Sequence, residues 1–311
     1  MRHFFSAAIL FVLSQALFLF HIQFPATLNF DEFHYVPAAK DLITLDSNRN
    51  EEHPPLAKIL IGIGIKMDGD RPFGWRLMSA FFGSLTLIGI FTLAYFAMGS
   101  LRIAWVTALL TLFNQLLFVQ ARIAMLDTFM TAFLIWAVVF LYRASIHKGR
   151  AKDLFICGVL LGLATSCKWF GAMGVLGCVL VGSAIFKFKF KNLLFKMVLP
   201  AIAVYFVCQL PLLFVATPDY GFFDLFKLPY KMWQAQRSVQ GPHPYHSVWY
   251  QWALLIRPMW YAFDKEGPHQ EWVRGVILLG NPLIMYLGLV SGIFLFLKKN
   301  VPSPRLRPQV K

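Results

Sequence analysis

The chain has 311 residues, 58% of them hydrophobic, 16% aromatic and only 14% charged, with a mean hydropathy of +0.60. Soluble domains run at roughly 45–50% apolar and about 25% charged, so a soluble globular protein is excluded and the surplus apolar surface calls for lipid as its solvent. The formal net charge of +14 would suggest nucleic acid in a soluble protein. In a membrane protein it asks instead which side of the bilayer carries the charge, and no nucleic-acid partner is expected. Cys157, Cys167, Cys178 and Cys208 all fall inside apolar runs with no CxxC pair, and they indicate neither a disulfide framework nor a zinc site.

A helix crosses ~30 Å of hydrocarbon in about 20 residues. Taken in chain order, apolar stretches of that length fall at 4–24, 77–98, 103–121, 123–142, 170–186, 197–216 and 275–297, with a shorter one at 154–167 that ends at Lys168. Eight spans are predicted, hence an all-α, polytopic membrane protein. Arg2 before the first apolar run resembles a signal peptide, but no small-x-small cleavage site follows, which favours an uncleaved anchor. With the N-terminus, 99–102, 143–153, 187–196 and 298–311 on one side, that side holds fifteen basic residues and one acid, Asp153, against fourteen of each elsewhere. By the positive-inside rule that face is cytoplasmic, as are both chain ends, and its lysines meet anionic lipid headgroups. The expected organisation is a transmembrane unit over 1–297 and a basic, disordered cytoplasmic tail over 298–311, without internal repeats.

Two long segments, 25–76 and 217–274, then face outward and carry nearly all the Asp, Glu and His, so chemistry is sought there. The apolar run 56–65 follows Pro54 and Pro55 and is too short to span, so it is predicted as a helix lying at the interface. The string WYQWALLIRPMWY at 249–261 reads as an interfacial or re-entrant piece.

Asp31 and Glu32 follow the first span in NFDEFHY. They can be solvated loop carboxylates, a metal pair that lacks further oxygen ligands, or a general base with a neighbour that orients a partner. In an extended loop the two side chains point in different directions. In EEHPPLAK, His53 and Lys58 flank a turn stiffened by two prolines and are candidates for binding. Arg76 opens the second span, Arg122 and Asp127 the fourth, and Lys168 ends the short fifth. Ionisable groups at one membrane depth carry a functional reading, and a ring of cations there suits a phosphate on a lipid whose tail stays in the bilayer. Asp127, five positions after Arg122, falls on another helical face and is expected to pair with a neighbouring helix. His243, His246 and Arg257 are further polar candidates. Pro244 between the two histidines argues against a helical zinc pair. No Walker loop, GxGxxG or GxSxG occurs, so nucleotide-driven transport and serine hydrolysis lack support.

In order, NFDEFHY, EEHPPLAK, GWRLMSAFFG, QARIAMLD, SCKWFG and HPYHSVWYQWALLIRPMWY resemble the blocks of the lipid-phosphate-mannose protein O-mannosyltransferases, and more broadly the phospholipid-carrier-dependent glycosyltransferases of GT-C fold. The resemblance runs over roughly 28–290. It implies inverting transfer of a hexose, typically mannose, from a polyprenyl or dolichyl monophosphate to Ser or Thr hydroxyls of a protein. By position it makes Asp31 the catalytic acidic residue, Glu32 its partner and Arg76 the arginine near the lipid phosphate, with Arg122, Lys168 and Lys58 beside the donor and His53 and Asp127 in family motifs. No cofactor is needed, and a divalent metal is left open. Family members continue with further spans, and eukaryotic ones add a luminal domain. The resemblance therefore implies a bacterial-type enzyme of the inner membrane with its site on the outer face. The alternatives are a transferase acting on a lipid or glycan acceptor, as in the aminoarabinose transferases, a truncated non-catalytic subunit, and a chain whose partner subunit supplies the missing helices.

Overall fold

A computed structural model describes residues 1–238, 247–266 and 271–297. Each expected span has a helical counterpart. α1 (Arg2–Leu19) is followed by two helices in the segment 25–76, α2 (Glu32–Thr44) and α3 (Leu56–Asp68). α4 (Pro72–Met98) starts with proline at its first turn, where a missing N–H costs nothing. Next come α5 (Leu101–Leu112), α6 (Gln115–Gln120), α7 (Leu126–Ile146), α8 (Ala151–Cys167) and α9 (Gly171–Ala184). A composite helix follows: α10 (Phe190–Leu193), a π turn (Leu194–Val198), α11 (Leu199–Val207) and a 3-10 turn (Leu210–Phe214). The π turn precedes Pro200, which has no N–H to continue the regular ladder. Residues beyond 217 contribute α12 (Asp224–Ser238), α13 (Trp249–Ala253), β1 (Met259–Glu266) and β2 (Trp272–Leu278), before α14 (Pro282–Leu297).

Among the described residues four helical segments are long and apolar enough to cross a membrane: Arg2–Leu19, Pro72–Met98, Leu126–Ile146 and Phe190–Phe214. Leu101–Leu112, Gly171–Ala184 and Pro282–Phe294 are apolar but shorter. The expected third span is interrupted because the Asn114 side chain accepts from Leu116 N at 3.2 Å and starts α6 afresh. The chain is not all-α. Residues 272–278, expected to open the last span, form β2, which pairs antiparallel with β1 from Met259↔Leu278 to Glu266↔Trp272. Aromatic and β-branched residues in β1 and β2 suit that pleated ribbon, and α14 starts only at Pro282. The piece expected to be interfacial or re-entrant at 249–261 is thus a short helix leading into a strand. The basic tail at 298–311 lies outside the described residues.

α4 sits centrally, packed by α1, α3, α5 and α7, while α8 joins α7 to α11. Close approach depends on missing side chains at two places. A Cβ on Gly83 of α4 would lie 2.4 Å from the Ala121 methyl, and one on Gly158 of α8 would lie 2.3 Å from the Met197 carbonyl. On α1, Phe4, Phe5, Val12 and Leu13 stay exposed, as on a helix solvated by lipid tails.

The core nearest the candidate site joins Tyr35 and Val36 of α2, Ala57 and Ile61 of α3, Phe82 of α4 and the stretch from Ile123 to Phe129. Tyr261 of β1 packs into the same cluster. The β1–β2 hairpin therefore packs with α2, α3 and α4 through that cluster.

Candidate active site

α2 begins directly after Asp31, which is its N-cap residue, so the acidic pair does not lie in an extended loop. Phe30, just before it, is held at φ 50°, a left-handed conformation that costs a residue with a Cβ on the order of 1 kcal/mol. Helix geometry puts Tyr35, four positions on, above Asp31, and the Tyr35 hydroxyl donates to Asp31 Oδ2 at 3.1 Å. Oδ1 of Asp31 accepts no hydrogen bond among the described residues. Burial pushes the Asp31 carboxyl above its ordinary range; the Tyr35 hydroxyl, Lys168 and His34 oppose that shift, and Asp127 adds to it.

Glu32 has a separate set of partners and is fully buried. Its Oε1 accepts Arg76 Nε at 2.8 Å and Ala124 N at 2.9 Å. Its Oε2 accepts Arg76 Nη2 at 2.8 Å and Asn29 N at 3.0 Å. Arg76 also donates through Nη1 to Ile22 O at 3.0 Å and Pro25 O at 2.8 Å, and through Nη2 to Thr27 O at 3.0 Å. All five guanidinium N–H groups are thereby used. In this arrangement Arg76 has no donor left for a lipid phosphate and Glu32 no lone pair facing substrate. Together they bind α4, the loop after α1 and residue 124 to the start of α2, and so fix where Asp31 stands.

Lys58 is likewise buried and committed. Its ammonium donates to Asn50 O, to His53 O at 3.0 Å and to Asn48 Oδ1 at 3.4 Å. Burial pulls it down to about 7, against the opposing charges of Glu52 and Glu51. It shapes the loop that carries His53, and these three acceptors match the three N–H groups of its ammonium. Tyr220, ahead of α12, fastens the same loop, accepting from Asn48 Nδ2 and donating to Glu51 Oε1, both at 3.1 Å.

His53, Asp127 and Lys168 gather with Asp31. Lys168, at the end of α8, donates to both carboxylate oxygens of Asp127 in the first turn of α7, each at 2.9 Å. This is the inter-helix pairing expected of Asp127. The His53 ring packs edge-on against Tyr35 with centroids 5.8 Å apart, and its buried Nδ1 has no partner among the described residues. Burial first, then Lys168 and Lys58, lower its pKa to about 4, so it is neutral at physiological pH. Arg122 lies between α6 and α7, its Nη1 donating to Leu17 O at 3.1 Å, Phe18 O at 2.9 Å and Phe20 O at 2.6 Å. It caps the end of α1, while its Nε and Nη2 make no hydrogen bond among the described residues. Arg257 lies half-buried between α13 and β1. His243 and His246 fall outside the described residues.

Three residues here were not singled out beforehand. Tyr35 becomes visible only once α2 is known to start at 32. Gln120 and Tyr261 stand far apart in sequence, yet Gln120 Nε2 donates to the Tyr261 hydroxyl at 2.8 Å. No local pattern connects them.

The helical fold is that of the GT-C membrane transferases. The chain aligns with the S. cerevisiae protein O-mannosyltransferase Pmt1-Pmt2 complex bound to the sugar donor at TM-score 0.53, 21% identity, over 78% of this chain and 35% of that one. It aligns with ArnT from Cupriavidus metallidurans in the apo state at TM-score 0.59, 20% identity, over 80% and 47%. The chain belongs to the dolichyl-phosphate-mannose-protein mannosyltransferase family, whose pattern matches residues 52–214, and the C-terminal four TMM region of protein-O-mannosyltransferase matches 222–303.

The first of these matches takes in His53, Lys58, Arg76, Arg122, Asp127 and Lys168, and starts after Asp31. Among curated relatives, the polyprenol-phosphate-mannose–protein mannosyltransferase of Corynebacterium glutamicum is 35% identical over 46% of this chain and 34% of its own length. Those of Mycolicibacterium smegmatis and Mycobacterium tuberculosis are each 25% identical over 84% of this chain, and over 64% and 63% of their own lengths. The chain thus spans less than two thirds of these relatives.

Proposed function

We propose that this chain transfers a hexose, most simply mannose, from a polyprenyl or dolichyl monophosphate to Ser or Thr hydroxyls of proteins at the outer face of a bacterial cytoplasmic membrane. The single observation that carries the reading is Asp31: a carboxylate made more basic by burial, with one oxygen held by Tyr35 and the other open. Asp31 Oδ1 takes the proton of the acceptor hydroxyl as its oxygen attacks the anomeric carbon. The bond from that carbon to the phosphate oxygen breaks on the opposite side, so configuration inverts and polyprenyl monophosphate leaves. Positioned general-base catalysis of this kind is worth roughly 10²–10⁴ in rate.

Charge on the leaving phosphate is met by Lys168, oriented by Asp127, and by the uncommitted edge of Arg122. Glu32, Arg76 and Lys58 act through backbone placement and touch no substrate. No step calls for a cofactor. The excess of basic residues in the short segments supports a cytoplasmic side for those segments and both chain ends, with 1–297 as the membrane unit, 298–311 as a basic tail, and a partner subunit beside it.

Labelled polyprenyl-phosphate-mannose, followed by separate protein and lipid extraction, tests the reading and distinguishes a protein from a lipid acceptor. Asp31→Asn is expected to abolish transfer while donor binding persists. Wild-type turnover by that variant, or cysteine labelling that maps the Asp31 loop to the cytoplasm, refutes the assignment.

A further inference from the structure

Tyr261 enters the site by an irregularity in the hairpin. Trp260 pairs with Ile277 and Ala262 with Val276, so Tyr261 is the unpaired residue of a β-bulge, a device that re-aims one side chain out of the strand's alternation. Its ring is 4% exposed and stacks on Phe30, the residue before Asp31, with centroids 4.4 Å apart at 20°. The Tyr261 hydroxyl accepts from Gln120 Nε2 at 2.8 Å, and its own hydrogen then has no acceptor among the described residues. Gln120 Oε1 is buried without a partner among the described residues. Turning the amide over exchanges these roles and still leaves one amide atom unmatched. A buried polar atom without a partner is costly, and one amide atom left unmatched next to a hydroxyl with bonding capacity to spare, near an open carboxylate, is explained by a ligand that completes them.

The chemistry of the pair selects that ligand. An amide and a phenol offer one donor and one acceptor without charge, which fits hydroxyl groups, while a phosphate calls for the cations on Lys168 and Arg122. Resting on the transferase reading above, we infer that Gln120 and Tyr261 bind the hydroxyls of the transferred hexose and so determine which sugar is accepted. A bond that merely docks the hairpin is the competing explanation. The hairpin is already tied down by Gln115 Nε2 to Ile277 O at 3.0 Å and by Asn281 N to Asn114 Oδ1 at 3.3 Å.

The test uses the full chain in nanodiscs with Tyr261→Phe and, as a second variant, Gln120→Met. Kd and transfer are measured separately for polyprenyl-phosphate-mannose, its mono-deoxy analogues and bare polyprenyl phosphate. Each variant is expected to weaken binding of the mannosyl donor about tenfold, as one lost hydrogen bond predicts. Neither should change binding of bare polyprenyl phosphate, and the loss should vanish for the deoxy donor that lacks the hydroxyl being read. Equal loss for every lipid including the bare phosphate, or no loss for the mannosyl donor, overturns the inference. A wild-type chain that discriminates among the sugars in binding but transfers none keeps the hexose pair and sinks the transferase reading. A chain that transfers while both variants bind all donors like wild type does the reverse.

Discussion

Replacing Arg76 with methionine separates a structural arginine from a phosphate-binding one. The guanidinium is 1% exposed and the Glu32 carboxylate 0%, so solvent screening relieves little when one partner is removed. Arg76→Met strands Glu32 as a buried charge with only the Asn29 and Ala124 amides, and deprives the Ile22, Pro25 and Thr27 carbonyls of their donors. Removing one member of a buried pair costs about 3–5 kcal/mol. At ~2–4 °C of Tm per kcal/mol the midpoint should fall by on the order of 10 °C. Glu32→Gln together with Arg76→Met removes the stranded charge and should recover part of that loss. Thermal unfolding in detergent, run beside binding of polyprenyl phosphate to the folded fraction, reads both quantities. A variant that unfolds like wild type but no longer binds the lipid phosphate refutes the reasoning and returns Arg76 to the donor.

Tyr35→Phe removes the donated hydrogen bond that holds the Asp31 carboxyl down, so its pKa rises further. The acid limb of kcat/KM, where activity disappears as pH falls and Asp31 protonates, should then move to higher pH; an unmoved limb means another group titrates. Lys168→Met removes a second influence that lowers Asp31 and should shift the limb the same way, with weaker donor binding as an independent readout. His53 titrates near 4 in the folded chain and near 6.5 when unfolded, so between those values the unfolded state binds more protons and stability falls as pH drops. Tm measured from pH 7 to 4 should show that decline flattened in His53→Asn, and parallel curves count against it. Gly158→Ala puts a methyl against the Met197 carbonyl, where backbone on both sides has little freedom to yield; a loss of roughly 1–3 kcal/mol is expected, and an unchanged Tm contradicts the packing.

Much of this protein was legible without coordinates. Apolar run lengths placed a helix at each expected span, because a segment solvated by lipid must satisfy its own backbone and has few alternatives to the helix. The pairing of Asp127 with a neighbouring helix followed from its angular separation from Arg122. The division of labour among the charged residues did not follow. Asp31 and Glu32 are adjacent and chemically alike, yet one keeps an oxygen open and the other is spent on Arg76, because the helix start at residue 32 turns the two side chains in different directions, toward different neighbours. Arg76, Lys58 and Lys168 all read as cations at one depth; only burial and the positions of backbone carbonyls reveal that two of them are consumed internally. The hairpin, its bulge and the meeting of Gln120 with Tyr261 depend on contacts between residues far apart in the chain, to which periodicity and short motifs are blind.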